Sequence, residues 1–312
     1  MSAVMGFNLQ NWSQQQAGLV ERALSDWVAN PGHAPVAGGL AKLNEAMRYA
    51  VLDGGKRLRP LLVLAACEFV GGNTDAALRA ACAVELIHAY SLVHDDMPCM
   101  DNDVLRRGKP TVHVKFGQAQ ALLAGDALQA LAFELLTPAD GSVDAATQAR
   151  LCRMLAHAAG GQGMAGGQAI DLASVGRPLD SHQLHEMHRL KTGALLKASV
   201  LMGAHCGQPD ARALAALDEY GAAIGLAFQV VDDILDVTAD SATLGKTAGK
   251  DAAQDKPTFV SLMGLEASKD YARQLLDRAL SSLDKASMTN ERTVQSTAAL
   301  RALADMLVNR KF

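Results

Sequence analysis

The 312-residue sequence predicts a single all-α domain over residues 1–312. Apolar residues recur at helical spacing along almost the whole chain, and glycine or proline separates one apolar stretch from the next. Hydrophobic residues make up 49% of the chain but aromatic residues only 4%, and this alanine-rich composition favours helices over strands. We find no strand-like alternation and no linker-like change of composition that would indicate a second domain.

The predicted helices have recognisable start and stop signals. Gly54 and Gly55 end the first clear helix, and Pro60 suits the first turn of the next one, where the N–H groups have no partner within the helix. Asn73 is a candidate N-cap for the helix that runs into Asp95. We expect helices over residues 41–53, 60–72, 73–96, 117–136, 143–160, 182–206, 217–236, 257–286 and 292–309.

Charge and cysteine content restrict the class of protein. A net charge of −4 and a pI near 6.1 argue against nucleic acid as a partner. The five widely spaced cysteines form no CxxC pair, which disfavours disulfides or a zinc site and fits a reducing cytoplasm. The N-terminus lacks the pattern of a signal peptide, and no uninterrupted apolar run reaches the roughly eighteen residues of a membrane span. We therefore expect a soluble, cytoplasmic protein.

Two dense acidic clusters end apolar, helix-like stretches: "DDMPCMD" at 95–101 and "DDILD" at 232–236. A helix C-terminus has partial negative charge, so each carboxylate there costs a few tenths to about 1 kcal/mol. Asp232 and Asp236 share one helix face, and two unit charges about 4 Å apart repel by roughly 4 kcal/mol at an effective dielectric constant of 20. A solvated acidic surface would explain either cluster alone, whereas the pair favours bound cations.

The two clusters are expected to differ in shape. Pro98 should turn the backbone so that Asp101 comes back toward Asp95, because these aspartates cannot all lie on one uninterrupted helical face. The second cluster can lie on one straight helix.

The ligand types indicate which cation. Oxygen ligands, without cysteine or histidine at metal-binding spacing, select a hard ion such as Mg²⁺, which usually completes its coordination with water and substrate phosphates. Basic side chains that suit phosphate oxygens occur in "GGKRLRP" at 54–60, "LRRGKP" at 105–110 and "KTG" at 191–193, and at Lys246, Lys250 and Lys256. The combination predicts a substrate with a diphosphate group.

These motifs, with "GGQAIDL", "HRLKTGALL" and "LGKTAGKDAAQDKPTF", resemble in content and order those of the short-chain trans-isoprenyl diphosphate synthases. Within that family the chain is most similar to the bacterial farnesyl diphosphate synthases, from about residue 35 to the C-terminus. The resemblance implies one helical bundle around a deep central cavity, commonly a homodimer. Val104 departs from the pattern, since close relatives often have an aspartate there.

The resemblance also implies roles for single residues. Mg²⁺, as several ions and with Mn²⁺ as a substitute, would be bound by Asp95, Asp96, Asp101, Asp232 and Asp236. The role of Asp233 stays open. The allylic diphosphate would be held by Arg106, Lys191, Lys246 and Lys256, and isopentenyl diphosphate by Lys56, Arg59, His88 and Arg107. Thr192 and Gln229 would lie along the allylic chain. The residues expected to act in catalysis are Asp95, Asp101, Asp232, Lys191 and Arg106.

The implied reaction condenses isopentenyl diphosphate with dimethylallyl or geranyl diphosphate, head to tail, to give (2E,6E)-farnesyl diphosphate. The allylic carbon–oxygen bond ionises when metal ions and cationic side chains stabilise the departing diphosphate. The isopentenyl double bond attacks the allylic cation, and the released diphosphate accepts the proton whose loss restores an alkene. Water has to be excluded because it would trap the cation.

Product length is predicted from position on the first acidic helix. Tyr90 and Ser91 lie five and four residues before Asp95, which is about 6 to 7.5 Å along a helix axis. Side chains lean toward the helix N-terminus, so a chain growing away from the metals would meet Tyr90 as a floor. Tyr90 as an ordinary core aromatic is the alternative, but the resemblance links an aromatic residue at this position with a fifteen-carbon product.

Three alternatives stay open. A geranylgeranyl diphosphate synthase would make a twenty-carbon product from the same substrates. A class I terpene cyclase also uses a DDxxD motif and Mg²⁺, but usually has an Asn/Asp, Ser/Thr and Glu motif where this chain has "DDILD". A non-catalytic partner subunit typically lacks aspartates or basic residues that this chain contains.

Overall fold

The computed structural model describes residues 7–28, 38–52, 54–176, 179–238, 258–287 and 296–309. Within these ranges the chain is almost wholly helical, which confirms the predicted fold class. The helices are α1 Leu9–Trp27, α2 Gly39–Val51, α3 Leu58–Val70, α4 Thr74–Asp95, α5 Val112–Phe116, α6 Gln118–Leu136, α7 Ala145–Ala159, α8 Met164–Ala173, α9 Ser181–His188, α10 Ala194–His205, α11 Ala211–Thr238, α12 Phe259–Met263, α13 Leu265–Ser287 and α14 Ala298–Val308. A π-helical turn, Arg189–Gly193, joins α9 to α10.

The N-terminus of α4 confirms a boundary predicted from the sequence. The Asn73 side-chain oxygen accepts hydrogen bonds from the backbone N–H groups of Asp75 and Ala76 at 2.9 and 3.1 Å. This cap satisfies two of the N–H groups that the first turn leaves without a helical partner. The start of α4 is therefore fixed, and its length decides where its acidic C-terminus lies.

Several helical segments differ from the sequence prediction, and α5 and α8 are not among the helices expected there. Helix α1 is absent from that prediction because its first turns are polar, and only Val20, Ala23 and Leu24 of it are buried. The helix expected over 182–206 contains the π-helical turn at its middle. The helix expected over 257–286 is interrupted at Gly264, whose φ of 83° is a conformation that glycine adopts without strain.

A short β-hairpin follows the first acidic cluster, so the expectation of no strands is wrong at this point. Strand β1, Leu105–Arg106, pairs antiparallel with β2, Lys109–Pro110. Arg107 and Gly108 form the turn with φ of 52° and 74°, the positive values that a type I′ hairpin requires at both positions. Strands of two residues are too short to show an alternating pattern in the sequence.

The hydrophobic core packs around α4 and α11, the two helices that contain the acidic clusters. Helix α4 has small buried side chains on its inner surface, and Ala80, Ala81 and Val84 are fully buried. Its main neighbours are α3 and α6, while α11 packs against α10 and α13. The hydroxyl of buried Tyr220 on α11 donates to the carbonyl of Leu300 at 2.7 Å, which satisfies its polar end. Both acidic clusters thus stand on helices held rigidly by the core.

Three helices of the described chain are long and apolar enough to cross a membrane, judged by length and composition alone: α4, α6 and α11. Neighbouring helices bury 67% of the most apolar window of α4 and 56% of that of α11, but only 39% of that of α6. The expectation that no segment spans a membrane therefore remains a prediction.

Candidate active site

The first acidic cluster is a tight turn at the C-terminus of α4. The helix ends at Asp95, and Asp96 is its C-cap. The chain then turns through Pro98, and the backbone N–H of Asp101 donates to the carbonyl of Asp95 at 2.8 Å. Four residues separate Asp96 from Asp101, so these side chains could not share one uninterrupted helical face. The turn brings Asp101 back to Asp95, as the sequence predicts from the proline.

Asp95 has a pKa that is shifted by its surroundings. Burial raises the pKa of the Asp95 carboxyl to about 6, Lys191 opposes this rise, and the neighbouring Asp101 adds to it. Burial and a nearby like charge both disfavour a carboxylate, whereas a cation favours it. A metal ion would provide that cation, so the electrostatics of Asp95 fit its predicted role as a metal ligand.

Asp96 is held by Arg106 of the hairpin. Arg106 Nε donates to both oxygens of Asp96 at 2.9 and 2.8 Å, and its Nη2 donates to Oδ1 at 2.5 Å. Asp96 is only 2% exposed. The pair ties β1 to the end of α4 by charge-assisted hydrogen bonds. The predicted roles of Asp96 in metal binding and of Arg106 in diphosphate binding stay predictions.

The second acidic cluster lies within the last two turns of α11, on one continuous helix. Asp236 is buried, and its Oδ1 has no hydrogen-bond partner among the residues that the structure describes. An unpartnered buried carboxylate oxygen is costly, and a bound cation would remove that cost. Asp233 is different, because its two oxygens accept hydrogen bonds from Gln229 Nε2 and from the backbone N–H of Phe259, each at 2.8 Å. This carboxylate anchors the start of α12 to α11.

The π-helical turn connects the two clusters. It holds Lys191, which influences the charge of Asp95, and Thr192, whose hydroxyl donates to Gln229 Oε1 at 3.1 Å. Gln229 in turn donates to Asp233. π-helical turns inside α-helices are frequent at functional sites. Lys191, Thr192 and Gln229, predicted separately to contact the allylic substrate, are therefore brought together by the fold.

Asp171 is a site residue to which the sequence analysis gave no role. Lys191 Nζ donates to its Oδ2 at 2.6 Å, and Asp171 is 5% exposed. The only signal in the sequence is its place in the motif "GGQAIDL". Asp171 fixes the direction of the Lys191 ammonium group from the neighbouring helix α8.

Gly167 on α8 packs closely against the backbone of Lys191 in the π-helical turn and so positions that turn. An alanine Cβ at position 167 would lie 2.1 Å from the backbone nitrogen of Lys191, much nearer than real contacts allow. We expect Gly167→Ala to displace Lys191 and to lower activity about tenfold or more, with a loss of about 1 to 3 kcal/mol in unfolding free energy. Steady-state kinetics and urea unfolding would measure both effects.

Gly161→Ala is the matched control, because no atom lies within 4 Å of the added Cβ and the residue precedes the same helix. We expect this variant to keep wild-type activity. If Gly167→Ala behaves like Gly161→Ala, then α8 does not position Lys191.

A cluster of basic groups stands beside the first acidic cluster. The Nε of Arg59 is buried without a hydrogen-bond partner in the described part of the chain, and burial lowers the pKa of its guanidinium to about 10. Burial, together with Arg59 and Arg107, holds the pKa of His88 well below its usual value. Arg107 Nη1 donates to the carbonyl of Gly54 at 2.7 Å. Lys56 lies in the same loop and is exposed, so the cluster suits an anion.

A cavity of about 360 Å³ joins several of the predicted site residues. It is lined by Asp95, Lys191 and Thr192, and Tyr90 and Ser91 also line it. Its remaining wall is mostly apolar. The other lining residues include Arg59, His88, Met100, Met164, Ala165, Gln168 and Leu172. Lys246 and Lys256, like Lys250, lie outside the described residues.

The acidic side chains fit a hard cation that brings its own water. In the described ranges no group of three or more His, Cys, Asp or Glu side chains stands close enough to hold a metal ion unaided. The unpartnered oxygen of Asp236 and the raised pKa of Asp95 nevertheless fit a cation. All predicted ligand atoms are oxygens, which suits Mg²⁺, since this ion usually takes one or two carboxylates together with water and phosphate.

Comparison with known proteins agrees with this geometry. The family model described as Polyprenyl synthetase matches residues 40–297, a range that contains both acidic clusters. Farnesyl diphosphate synthase of Escherichia coli is 50% identical over 268 residues, which cover 85% of this chain and 88% of that protein. The large subunit 1 of the heterodimeric chloroplast geranylgeranyl pyrophosphate synthase of Arabidopsis thaliana is 48% identical over 275 residues, covering 86% and 72%.

Solved structures have the same fold. An FPP/GFPP synthase from Zymomonas mobilis, in its apo form, matches with a TM-score of 0.82 and 41% identity over 96% of this chain and 99% of that one. A geranyltransferase from Helicobacter pylori, complexed with magnesium and isoprenyl diphosphate, matches with a TM-score of 0.81 and 35% identity, covering 95% and 97%.

Proposed function

This chain belongs to the polyprenyl synthetase family, and from that membership we propose that it is a trans-prenyltransferase that makes farnesyl diphosphate. It condenses isopentenyl diphosphate with dimethylallyl diphosphate and with geranyl diphosphate, head to tail. The observation that carries this proposal is the cavity whose lining combines Asp95, Lys191 and Thr192 with Tyr90 and several apolar side chains. Such a lining offers polar groups for an allylic diphosphate and apolar side chains for its hydrocarbon chain.

Magnesium is the proposed cofactor, as several ions per site and with Mn²⁺ as a substitute. The ligands would be Asp95, Asp96, Asp101, Asp232 and Asp236. The magnesium in the Helicobacter pylori geranyltransferase complex supports this assignment, as does the unpartnered oxygen of Asp236. When bound, Mg²⁺ stabilises the negative charge that develops on a departing diphosphate.

The side chains of this protein hold the leaving group and stabilise the cation. Lys191 and Arg106 bind diphosphate oxygens, and Asp171 keeps the Lys191 ammonium directed into the site. The Thr192 hydroxyl and the Gln229 amide are joined by a hydrogen bond, and their oxygens stabilise positive charge on the allylic chain. Met100, Met164 and Leu172 line the cavity with apolar side chains, and water has to be kept from this space because it would hydrolyse the allylic cation. The proton lost in the last step passes to an oxygen of the released diphosphate.

Isopentenyl diphosphate binds to Lys56, Arg59, His88 and Arg107 without metal. The unpartnered Nε of Arg59 supports this role, since a buried guanidinium edge is suited to an anion. His88 is neutral at neutral pH because its pKa is lowered, and it therefore contributes as a hydrogen-bond donor. This arrangement holds the isopentenyl group beside the allylic cavity, since His88 and Arg59 also line that cavity.

Product analysis tests the proposal. Purified protein incubated with Mg²⁺, dimethylallyl diphosphate and labelled isopentenyl diphosphate is expected to yield mainly fifteen-carbon farnesyl diphosphate. Chromatography of the dephosphorylated products would measure chain length. A mainly twenty-carbon product would replace the farnesyl assignment with a geranylgeranyl one. A cyclic hydrocarbon formed from added farnesyl diphosphate, without incorporation of isopentenyl label, would indicate a terpene cyclase.

The geranylgeranyl product is the second candidate, because a geranylgeranyl pyrophosphate synthase subunit is 48% identical to this chain. Tyr90 favours the shorter product, since a bulky side chain in the cavity limits the length of the growing chain. A terpene cyclase is less favoured, because a complete set of residues for isopentenyl diphosphate is present. A non-catalytic subunit is disfavoured for the same reason, together with the full set of aspartates.

A homodimer in the cytoplasm is the proposed state of the protein. Helices α5 and α6 expose apolar side chains, with Val114, Leu122 and Leu123 each 47 to 49% exposed, and a second copy of the chain would cover them. All five cysteines lie within the described residues and are free, which supports a reducing compartment. Light scattering of the purified protein would measure its oligomeric state.

A further inference from the structure

The first helix of the chain contacts the loop that presents Lys56 and Arg59. Glu21 lies on α1, in a part of the sequence that precedes the family match at residue 40. Arg57 stands between Lys56 and Arg59, and its Nε donates to Glu21 Oε1 at 2.6 Å. Arg57 itself has no role in the proposed reaction.

The Arg57 guanidinium joins three separate elements. Besides Glu21 of α1, it binds Glu85 of α4, to which Nη1 donates at 2.6 Å. Its Nη2 donates to the carbonyl of Val51, the last residue of α2, at 2.7 Å. The side chains of Arg57 and Glu85 are 2% and 5% exposed, while that of Glu21 is 34% exposed. Two hydrogen bonds to carboxylates and one to a backbone carbonyl therefore hold the buried Arg57 side chain in place.

The backbone of Arg57 needs this support. Its φ of 46° and ψ of 33° are left-handed, and it is the N-cap residue of α3. A residue with a Cβ is disfavoured in that conformation and keeps it only where the surrounding structure holds it. The direction of Lys56 relative to the first turn of α3, where Arg59 lies, depends on this one residue.

Charge explains why Arg57 requires two carboxylates. Burial lowers the pKa of Arg59 and of Arg107, and Glu85 opposes this shift in both, so Glu85 interacts with three guanidinium groups at once. A diphosphate that binds Arg59 and Arg107 adds a further anion near Glu85. Glu21 supplies a second carboxylate that is hydrogen-bonded to Arg57 and approaches from the side of α1, and its charge also acts on Arg107.

We propose that Glu21 is a positioning residue for the isopentenyl diphosphate site. Acting through Arg57, it fixes the loop 54–57 so that Lys56 and Arg59 present their charges to one diphosphate. The inference rests on the proposed function, since it concerns the site that this function assigns to isopentenyl diphosphate. It adds a residue from outside the matched family region to that site.

Glu21→Gln tests the inference, because it removes the charge and keeps the size of the side chain. We expect the KM for isopentenyl diphosphate to rise about three- to tenfold, while kcat and the KM for the allylic diphosphate change less than about twofold. A merely structural role for Glu21 would change both KM values or neither. Asp26→Asn is the matched control, since Asp26 is an exposed carboxylate on the same helix, and it should match the wild type.

A second variant, Glu21→Asp, and a binding measurement that needs no turnover test the same inference independently. Glu21→Asp retains the charge but shortens the side chain by one methylene, so it should fold and should raise the same KM to a smaller extent. Calorimetric binding of inorganic diphosphate without metal, which needs no turnover, should weaken about three- to tenfold in Glu21→Gln. An unchanged affinity, or an unchanged KM in both variants, overturns the inference. A wild-type protein that forms no prenyl product would instead contradict the proposed function.

Discussion

Replacing both Asp95 and Asp232 with alanine is expected to lower the rate of prenyl transfer by at least about a thousandfold. Asp95 ends α4 and Asp232 lies near the end of α11, so the double variant removes one proposed metal ligand from each cluster. Loss of a single group that stabilises developing charge commonly costs roughly a hundred- to a thousandfold. Turnover of dimethylallyl and isopentenyl diphosphates at saturating Mg²⁺ would measure the effect.

The matched control for this variant is Asp218→Ala. Asp218 lies on the same helix as Asp232, pairs with Lys197 at 2.8 Å and is 49% exposed, so its removal should change turnover less than about twofold. The double variant should also melt no lower than the wild type in the absence of Mg²⁺, because burial disfavours the charged form of Asp95. Unchanged turnover in the double variant would show that the metal assignment is wrong.

Tyr90→Ala is expected to change the main product from fifteen to twenty or more carbons. Tyr90 lines the cavity that also contains Asp95, and its ring contacts the ring of His94 edge-on, with centroids 5.7 Å apart. Removing the ring opens the cavity along α4, so that a further isoprene unit can enter before the product leaves. Chromatography of the dephosphorylated products gives the distribution directly.

Tyr90→Phe separates the effect of side-chain volume on product length from the effect of the hydroxyl group. The phenylalanine ring fills the same space, so this variant should still make mainly the fifteen-carbon product. A fifteen-carbon product from Tyr90→Ala would mean that Tyr90 is a core aromatic and that another part of the wall limits the chain. The rate of the first condensation should differ little between the variants, because both leave Asp95 and Lys191 in place.

Local rules were sufficient to predict most of the long helices and the shape of the acidic clusters. The predicted N-cap at Asn73 and the return of Asp101 to Asp95 are both confirmed, because each depends on hydrogen bonds between residues close in sequence. The straight second cluster is confirmed for the same reason, since it lies within one uninterrupted helix.

Contacts between distant residues were not predictable in this way. The bond from Lys191 to Asp171 and the bond from Arg57 to Glu21 join residues 20 and 36 positions apart. The π-helical turn depends on tertiary packing, and the hairpin has strands too short to show a period. Helix α1 was missed because its early turns are polar and its buried residues are few.

The hairpin at 105–110 restricts which sequence changes the site can tolerate. Arg106 and Arg107 are neighbours in sequence, yet the first bonds to Asp96 at the acidic turn and the second to the carbonyl of Gly54 in the loop before α3. A two-residue turn therefore sets the spacing between the places proposed for the two substrates. Insertions there would misalign both substrates at once, whereas substitutions at Tyr90 alter only the depth of the cavity. Product length can thus diversify while the geometry of the condensation itself stays constant.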